Sequence, residues 1–127
     1  MIDRDTFLKP IPRRRERVPL PEFGNGHACW VYGWTAGERT AWEKEFRKPN
    51  GKADKVKQNE IRERLVVRSV RDDNGQPLFT NDDLEAIRQQ DAAVVERIVN
   101  AALAITGVTE NDIEELAGNS EATTPSD

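Results

Sequence analysis

Apolar residues are sparse over the first sixteen positions. Ile2, Phe7, Leu8 and Ile11 stand among charges, Pro10, Pro12 and the run Arg13-Arg14-Arg15. Proline interrupts helices and so few apolar groups build no core, so residues 1–16 are expected to form a disordered, basic N-terminal arm. From Arg17 the pattern alternates. Val18 and Leu20 flank Pro19, Phe23-Gly24-Asn25-Gly26 carries turn chemistry, and His27 to Trp34 is a β-branched and aromatic run. This pattern predicts a β-hairpin over 17–34. Pro19 and Pro21 have no N–H to donate, which assigns the first strand to a sheet edge.

After Trp34 the apolar period lengthens to that of a helix. Thr35 and Glu38 have the spacing of a capping box, and the helix it opens runs from Ala36 to about Arg47, with Ala41, Trp42, Glu45 and Phe46 at helical spacing. Pro49-Asn50-Gly51 ends it. A second helix is predicted over Val56–Val70. Ile61, Leu65, Val66, Ser69 and Val70 mark one face, and Lys57, Glu60, Arg64, Arg68 and Arg71 mark a mainly basic one. Asp72-Asp73-Asn74-Gly75 is a turn, Gln76 to Phe79 is extended, and Thr80 caps a short helix with Asp82 and Asp83 in its first turn. Asp91 caps a helix from Ala92 to Thr106 that is apolar on all but a narrow strip of Glu96, Arg97 and Asn100, as a central core helix should be. Gly107 stops it, a last helix follows over Glu110–Ala117, and Gly118 ends that. The composition of residues 119–127 predicts a disordered C-terminal tail. The expected fold is a single, mainly helical α+β domain over residues 17–118 with an N-terminal β-hairpin.

Composition adds bounds. A chain of 127 residues holds one core, and a hydrophobic share of 36% leaves part of it outside that core. The longest apolar stretch, Ala101 to Ile105, is too short to span a membrane, and with acids among the residues MIDRDTF and no apolar run we expect no secretory signal. One cysteine forms no internal disulfide, as suits a reducing cytoplasm. The net charge of −4 conceals an asymmetry. Residues 1–71 hold 17 Lys/Arg against 10 Asp/Glu, a balance of +7, and residues 72–127 hold 2 against 13, a balance of −11. Two halves of opposite sign either neutralise each other on folding or present separate faces to different partners.

Candidate chemistry is thin. His27 and Cys29 share one face of a strand, but a tetrahedral metal site needs more donors and a nucleophilic pair needs an orienting third group. The Asp72–Gly75 turn lacks the ligands a calcium loop requires. We therefore expect no catalytic residues, no metal and no cofactor. Two surfaces remain. Trp30, Tyr32 and Trp34 alternate along the second strand, and Arg64 and Arg68 lie on the basic helix face; these five residues form the candidate protein interface. Basic residues beside aromatics also suit single-stranded nucleic acid, but the acidic second half opposes the approach of a polyanion.

The order of these segments carries a resemblance. Trp34-Thr35-Ala36-Gly37-Glu38-Arg39 is followed by Ile61 to Val70, by Arg71-Asp72-Asp73-Asn74-Gly75-Gln76-Pro77-Leu78-Phe79-Thr80, by Asp82 to Ile87, by the helix ending Ala104-Ile105-Thr106-Gly107, and by Asp112-Ile113-Glu114-Glu115-Leu116. Over residues 17–118 this succession resembles the tail assembly chaperones of long-tailed, siphovirus-like bacteriophages; the arginine run lies outside it. The resemblance implies a non-enzymatic protein of the host cell cytoplasm that binds and solubilises the tape-measure protein, helps recruit tail-tube subunits, and is absent from the mature virion. It also implies a family often made in two lengths by ribosomal frameshifting, of which a chain with a short polar tail fits the shorter. Self-association through the N-terminal hairpin is expected, and membrane contact is not. The competing expectation is a small phage nucleic-acid-binding or regulatory protein that uses the basic arm and the aromatic strand.

Overall fold

Two short antiparallel strands form the predicted hairpin. Strand β1 (Arg15–Pro19) pairs with β2 (Ala28–Tyr32), placing Arg15 opposite Tyr32 and Val18 opposite Cys29. The computed structural model describes residues 1–118, so the expected tail at 119–127 lies outside the described residues. β1 is an edge strand, as Pro19 within it requires. The other edge of β2 is taken by β3 (Val70–Arg71), with Val31 opposite Val70 and Trp30 opposite Arg71. The pattern along the chain assigns Val70 to a helix instead. That helix stops at Ser69 because the open edge of β2 offers Val70 and Arg71 backbone partners that a continued helix could not use.

The boundary between arm and body falls earlier than residue 17. Gly33 N–H donates to the Arg14 carbonyl at 2.9 Å, and the Arg14 guanidinium donates to the Ile105 carbonyl at 3.1 Å. Arg13 pairs with Glu38. The arginine run is thus bonded to the folded body rather than free. Further out, the arm carries a short helix, α1 (Arg4–Leu8), capped by Asp3, where no structure is expected from composition; none of its residues is buried.

Helix α2 (Ala36–Glu45) begins at the predicted capping box, with Thr35 accepting from Glu38 N–H and Glu38 accepting from Thr35 N–H. The predicted second helix is two. Asp54 caps α3 (Lys55–Gln58), Glu60 leaves helical geometry at φ −107°, ψ 21°, and α4 (Ile61–Ser69) follows. A single 3₁₀ turn at Asn81–Asp83 leads into α5 (Leu84–Arg88). Helix α6 (Ala92–Thr106) starts at Asp91, whose carboxylate accepts from the N–H groups of Ala93 and Val94. It ends at Gly107 in the left-handed region, φ +80°, where a side chain would be strained. Helix α7 (Glu110–Leu116) then turns away at 104°.

α6 is the centre of the fold. It packs on α4 and on both strands of the hairpin, burying Val94, Ile98, Val99, Ala101, Ala102 and Ile105. Val18, Val31, Trp42, Phe46, Leu65, Val66 and Val70 meet it in one continuous core. Gly33 permits the close approach of α6 to the sheet, since a Cβ there would stand 3.3 Å from the Ile105 carbonyl oxygen. Cross-half ion pairs join the basic and acidic parts of the chain: Arg39 with Asp112, Arg62 with Glu96 and Glu110, and Arg97 with Glu22. Folding thus brings parts of the basic and acidic halves into direct ionic contact, while several other arginines of the basic half pair within it.

Candidate functional site

The five residues of the predicted interface do not form one surface. Trp30 and Tyr32 share the sheet face turned away from the core, and that face is already occupied. The Arg15 guanidinium stacks 3.8 Å above the Trp30 ring and donates to the Tyr32 hydroxyl at 3.2 Å. Tyr32 donates in turn to the Asp72 carbonyl, Trp30 donates to the Asp73 carboxylate, and Tyr32 is buried. Trp34 lies past the end of β2 and packs on Trp42, ring centroids 5.4 Å apart, instead of extending an exposed stripe.

The basic helix face is likewise engaged internally. Arg64 donates to Glu45 at 2.7 Å and to Glu60 at 2.8 Å, with its side chain 9% exposed and that of Glu45 8% exposed. Burial works against the Arg64 charge, but the hydrogen bonds to Glu45 and Glu60 outweigh it and hold its pKa above the ordinary value. Arg68 shares Glu45, and Arg71 pairs with Glu38. Burial likewise opposes ionisation of Glu38, yet the Thr35 N–H and the Arg13 and Arg71 guanidiniums hold its carboxyl below the usual range. Guanidiniums bonded in this way are not a free stripe for a phosphate backbone. Of the predicted five, Trp34 and Arg68 line one cleft, of about 350 Å³, together with Glu38, Arg71 and Pro77.

A larger, more apolar concavity than this cleft lies elsewhere. A groove of about 560 Å³ runs between the hairpin loop, α4, α5 and α6. Leu20, Phe23, Ala28 and Cys29 form one wall, Val66 and Val70 the floor, Leu78 and Phe79 one lip, and Ile87, Val94, Val95 and Ile98 the other wall. Its polar lining is confined to His27, Asp83 and Gln90. Phe23 and Leu78, each about half exposed, stand at its rim (50% and 51%). Burial pushes the Cys29 thiol up, so it presents an apolar surface to the groove, not a nucleophile. A groove of this size with few polar groups suits an apolar ligand or side chains of a partner segment.

This groove is invisible to periodicity because its lining comes from five separate segments. The available signal is local: Phe23 in a Gly-rich turn and Leu78-Phe79 after a proline are large apolar residues outside any amphipathic face.

One ion pair braces the groove wall. Arg97 of α6 donates to both carboxylate oxygens of Glu22, at 2.9 and 2.6 Å, next to Phe23. The Arg97 hydrogen bonds hold the Glu22 carboxyl down at about 2, against an ordinary 4.5. A depressed carboxyl contributes stability that is present above the unfolded value and lost as pH falls through the folded one. The difference in stability between the wild type and Glu22→Gln should therefore be constant above about pH 5 and shrink to nothing between pH 4.5 and about 2. Paired urea titrations across that range check it; a difference that does not change with pH would show the pair to be inert.

The fold and this groove now have a context among known proteins. The family model described as phage tail assembly chaperone matches residues 11–119. The chain belongs to the phage tail assembly chaperone family. A solved structure, that of the bacteriophage HK97 tail assembly chaperone, superposes with a TM-score of 0.54 at 20% identity, over 82% of this chain and 91% of that one. At that identity the likeness establishes the shared fold. No curated protein gave a match. In this tail assembly chaperone, the family match takes in the whole hairpin, the groove and α6, and leaves residues 1–10 of the arm outside.

Proposed function

We propose that this chaperone binds the tape-measure protein, keeps it soluble in the host cell cytoplasm, and helps recruit tail-tube subunits without entering the finished virion. The role is non-enzymatic: the protein holds apolar segments of its client and releases them unchanged. The observation that supports this reading is the apolar groove in a protein of this family. A long tape-measure chain must be shielded before assembly, and an open groove with apolar walls and few polar groups can shield a short run of its side chains at a time. Charged residues around the body keep the complex in solution.

Co-expression with the tape-measure protein tests it. The wild type should raise the soluble fraction of the tape measure several-fold, and Phe23→Glu with Leu78→Glu should remove most of that gain without lowering the melting temperature, since both side chains are half exposed. A wild type that leaves the tape measure insoluble refutes the client; a double variant as effective as the wild type moves the client to another surface.

A further inference from the structure

Strand β1 is an edge of the sheet, and among the described residues no strand pairs with its outer side. The bonds at its two ends fix which of its groups face out. Gly33 N–H donates to the Arg14 carbonyl and Leu20 N–H donates to the His27 carbonyl, so the even-numbered residues of this segment bond to the β2 side. Arg15 and Arg17 therefore turn both N–H and C=O outward. Pro19 turns out only a carbonyl, and Arg97 already donates to it at 3.2 Å. Two residues of open ladder remain, closed at one end by a proline.

Charge singles out the same edge. Every arginine of α2, α4 and α6 is held by a carboxylate: Arg39 by Asp112, Arg62 by Glu96, Arg64 and Arg68 by Glu45, Arg97 by Glu22. The arginines at the edge strand differ. Among the described residues, Arg14, Arg15 and Arg17 donate only to uncharged acceptors, the Ile105 carbonyl, the Tyr32 hydroxyl and the Gly26 carbonyl. All three are exposed. Beside them lies a concavity of about 450 Å³, lined by Arg14, Arg15 and Glu16 on the strand and by Ala104 and Ile105 of α6. Unused backbone donors and acceptors, uncompensated positive charge and a concavity thus coincide along one short segment.

We infer that the outer edge of β1 is a second binding site, which takes an extended acidic segment of another protein as an added antiparallel strand. The register sets what that segment carries. Arg15 and Arg17 lie opposite Tyr32 and Trp30 and share their sheet face. The residues of the added strand that bond to Arg15 and Arg17 point to this face, where carboxylates meet the two guanidiniums. The residue between them points to the other face, toward Ala104, Ile105 and Glu16, where an apolar side chain fits and an acid is repelled. The recognised pattern is acid, apolar, acid. The same charges turn away a second copy of this chain, because two β1 edges laid side by side set guanidinium against guanidinium. The inference rests on the strand edge alone and not on the apolar groove or its client.

An end-blocked peptide, Thr-Glu-Val-Glu-Thr, titrated into the isotope-labelled full chain and followed by NMR tests this. Binding should saturate below about 1 mM, with the Arg15 and Arg17 amides shifting most and gaining protection from exchange. Lysine in place of both glutamates should weaken binding by about tenfold or more, and so should methylation of the two glutamate backbone nitrogens, which removes the donors aimed at the edge. Arg17→Glu should do the same from the protein side. Its side chain is exposed and donates only to the Gly26 carbonyl, so the fold is kept. Phe23→Glu with Leu78→Glu should bind the peptide like the wild type, because the groove takes no part. A titration that does not saturate, shifts centred on the groove, a lysine or methylated peptide that binds equally well, an Arg17→Glu variant that binds like the wild type, or a groove variant that loses binding would each overturn the inference.

Discussion

Replacing Arg64 by Ala should destabilise the protein by about 3 kcal/mol, a large fraction of the stability of a domain this size. The reason is the carboxylate left behind. Glu45, with its side chain 8% exposed, accepts from Arg64 at 2.7 Å and from Arg68, so removing Arg64 leaves a buried charge with half its compensation. Glu60, more exposed, is reached by water and loses less. The same argument predicts that Arg64→Met combined with Glu45→Leu recovers much of the loss, because a buried ion pair exchanged for apolar groups of similar volume is often neutral. Urea unfolding of the two single variants and the double variant measures the coupling; additive losses would mean that the pair is not a unit. The folded fraction of Arg64→Ala should retain client binding, since its guanidinium faces Glu45 and Glu60 and does not line the groove.

Trp42→Ala should cost about 4 kcal/mol, the range for deleting a buried indole. Trp42 is fully buried, meets the Phe46 ring edge-on at 4.6 Å between centroids, and supports Trp34 at 5.4 Å. It joins α2 to the core, so its loss opens a cavity where that helix meets the rest of the domain. Trp42→Phe should cost well under half as much. The Trp42 indole N–H is buried without a hydrogen-bond partner, so phenylalanine removes volume but no polar contact. Thermal unfolding of both variants checks the order. A Phe variant as damaging as the Ala variant would mean that shape, rather than volume, holds α2 in place.

Read against the structure, the chain speaks clearly wherever one segment carries its own signal. Asp91, Thr35 and Thr80 cap the helices they were expected to cap, because a cap is a bond between residues two or three apart. The apolar face of α4 buries Ile61, Leu65, Val66 and Ser69 as its spacing requires. Helix α6 is buried along much of its length because its polar strip is narrow. The predicted interface has no such local signal, because alternation along a strand says which residues share a face but not what covers it. Arg15, from the run assigned to the arm, covers Trp30, and glutamates from α2 and the α3–α4 junction take up Arg64.

Taken alone, the order and period of residues determine that this is a mainly helical domain with an N-terminal hairpin, where the capped helices α2, α6 and α7 begin, and which helix is central. Those are consequences of short-range hydrogen bonding and of one-dimensional amphipathic patterns. The tertiary structure alone decided that Val70 leaves its helix to pair with Val31, that the arginines of α4 are held by buried glutamates, and that five distant segments enclose an apolar groove. Each depends on which surfaces meet after the chain has folded back on itself. Backbone edges, charges and apolar walls find their partners across space, and no local spacing encodes those meetings.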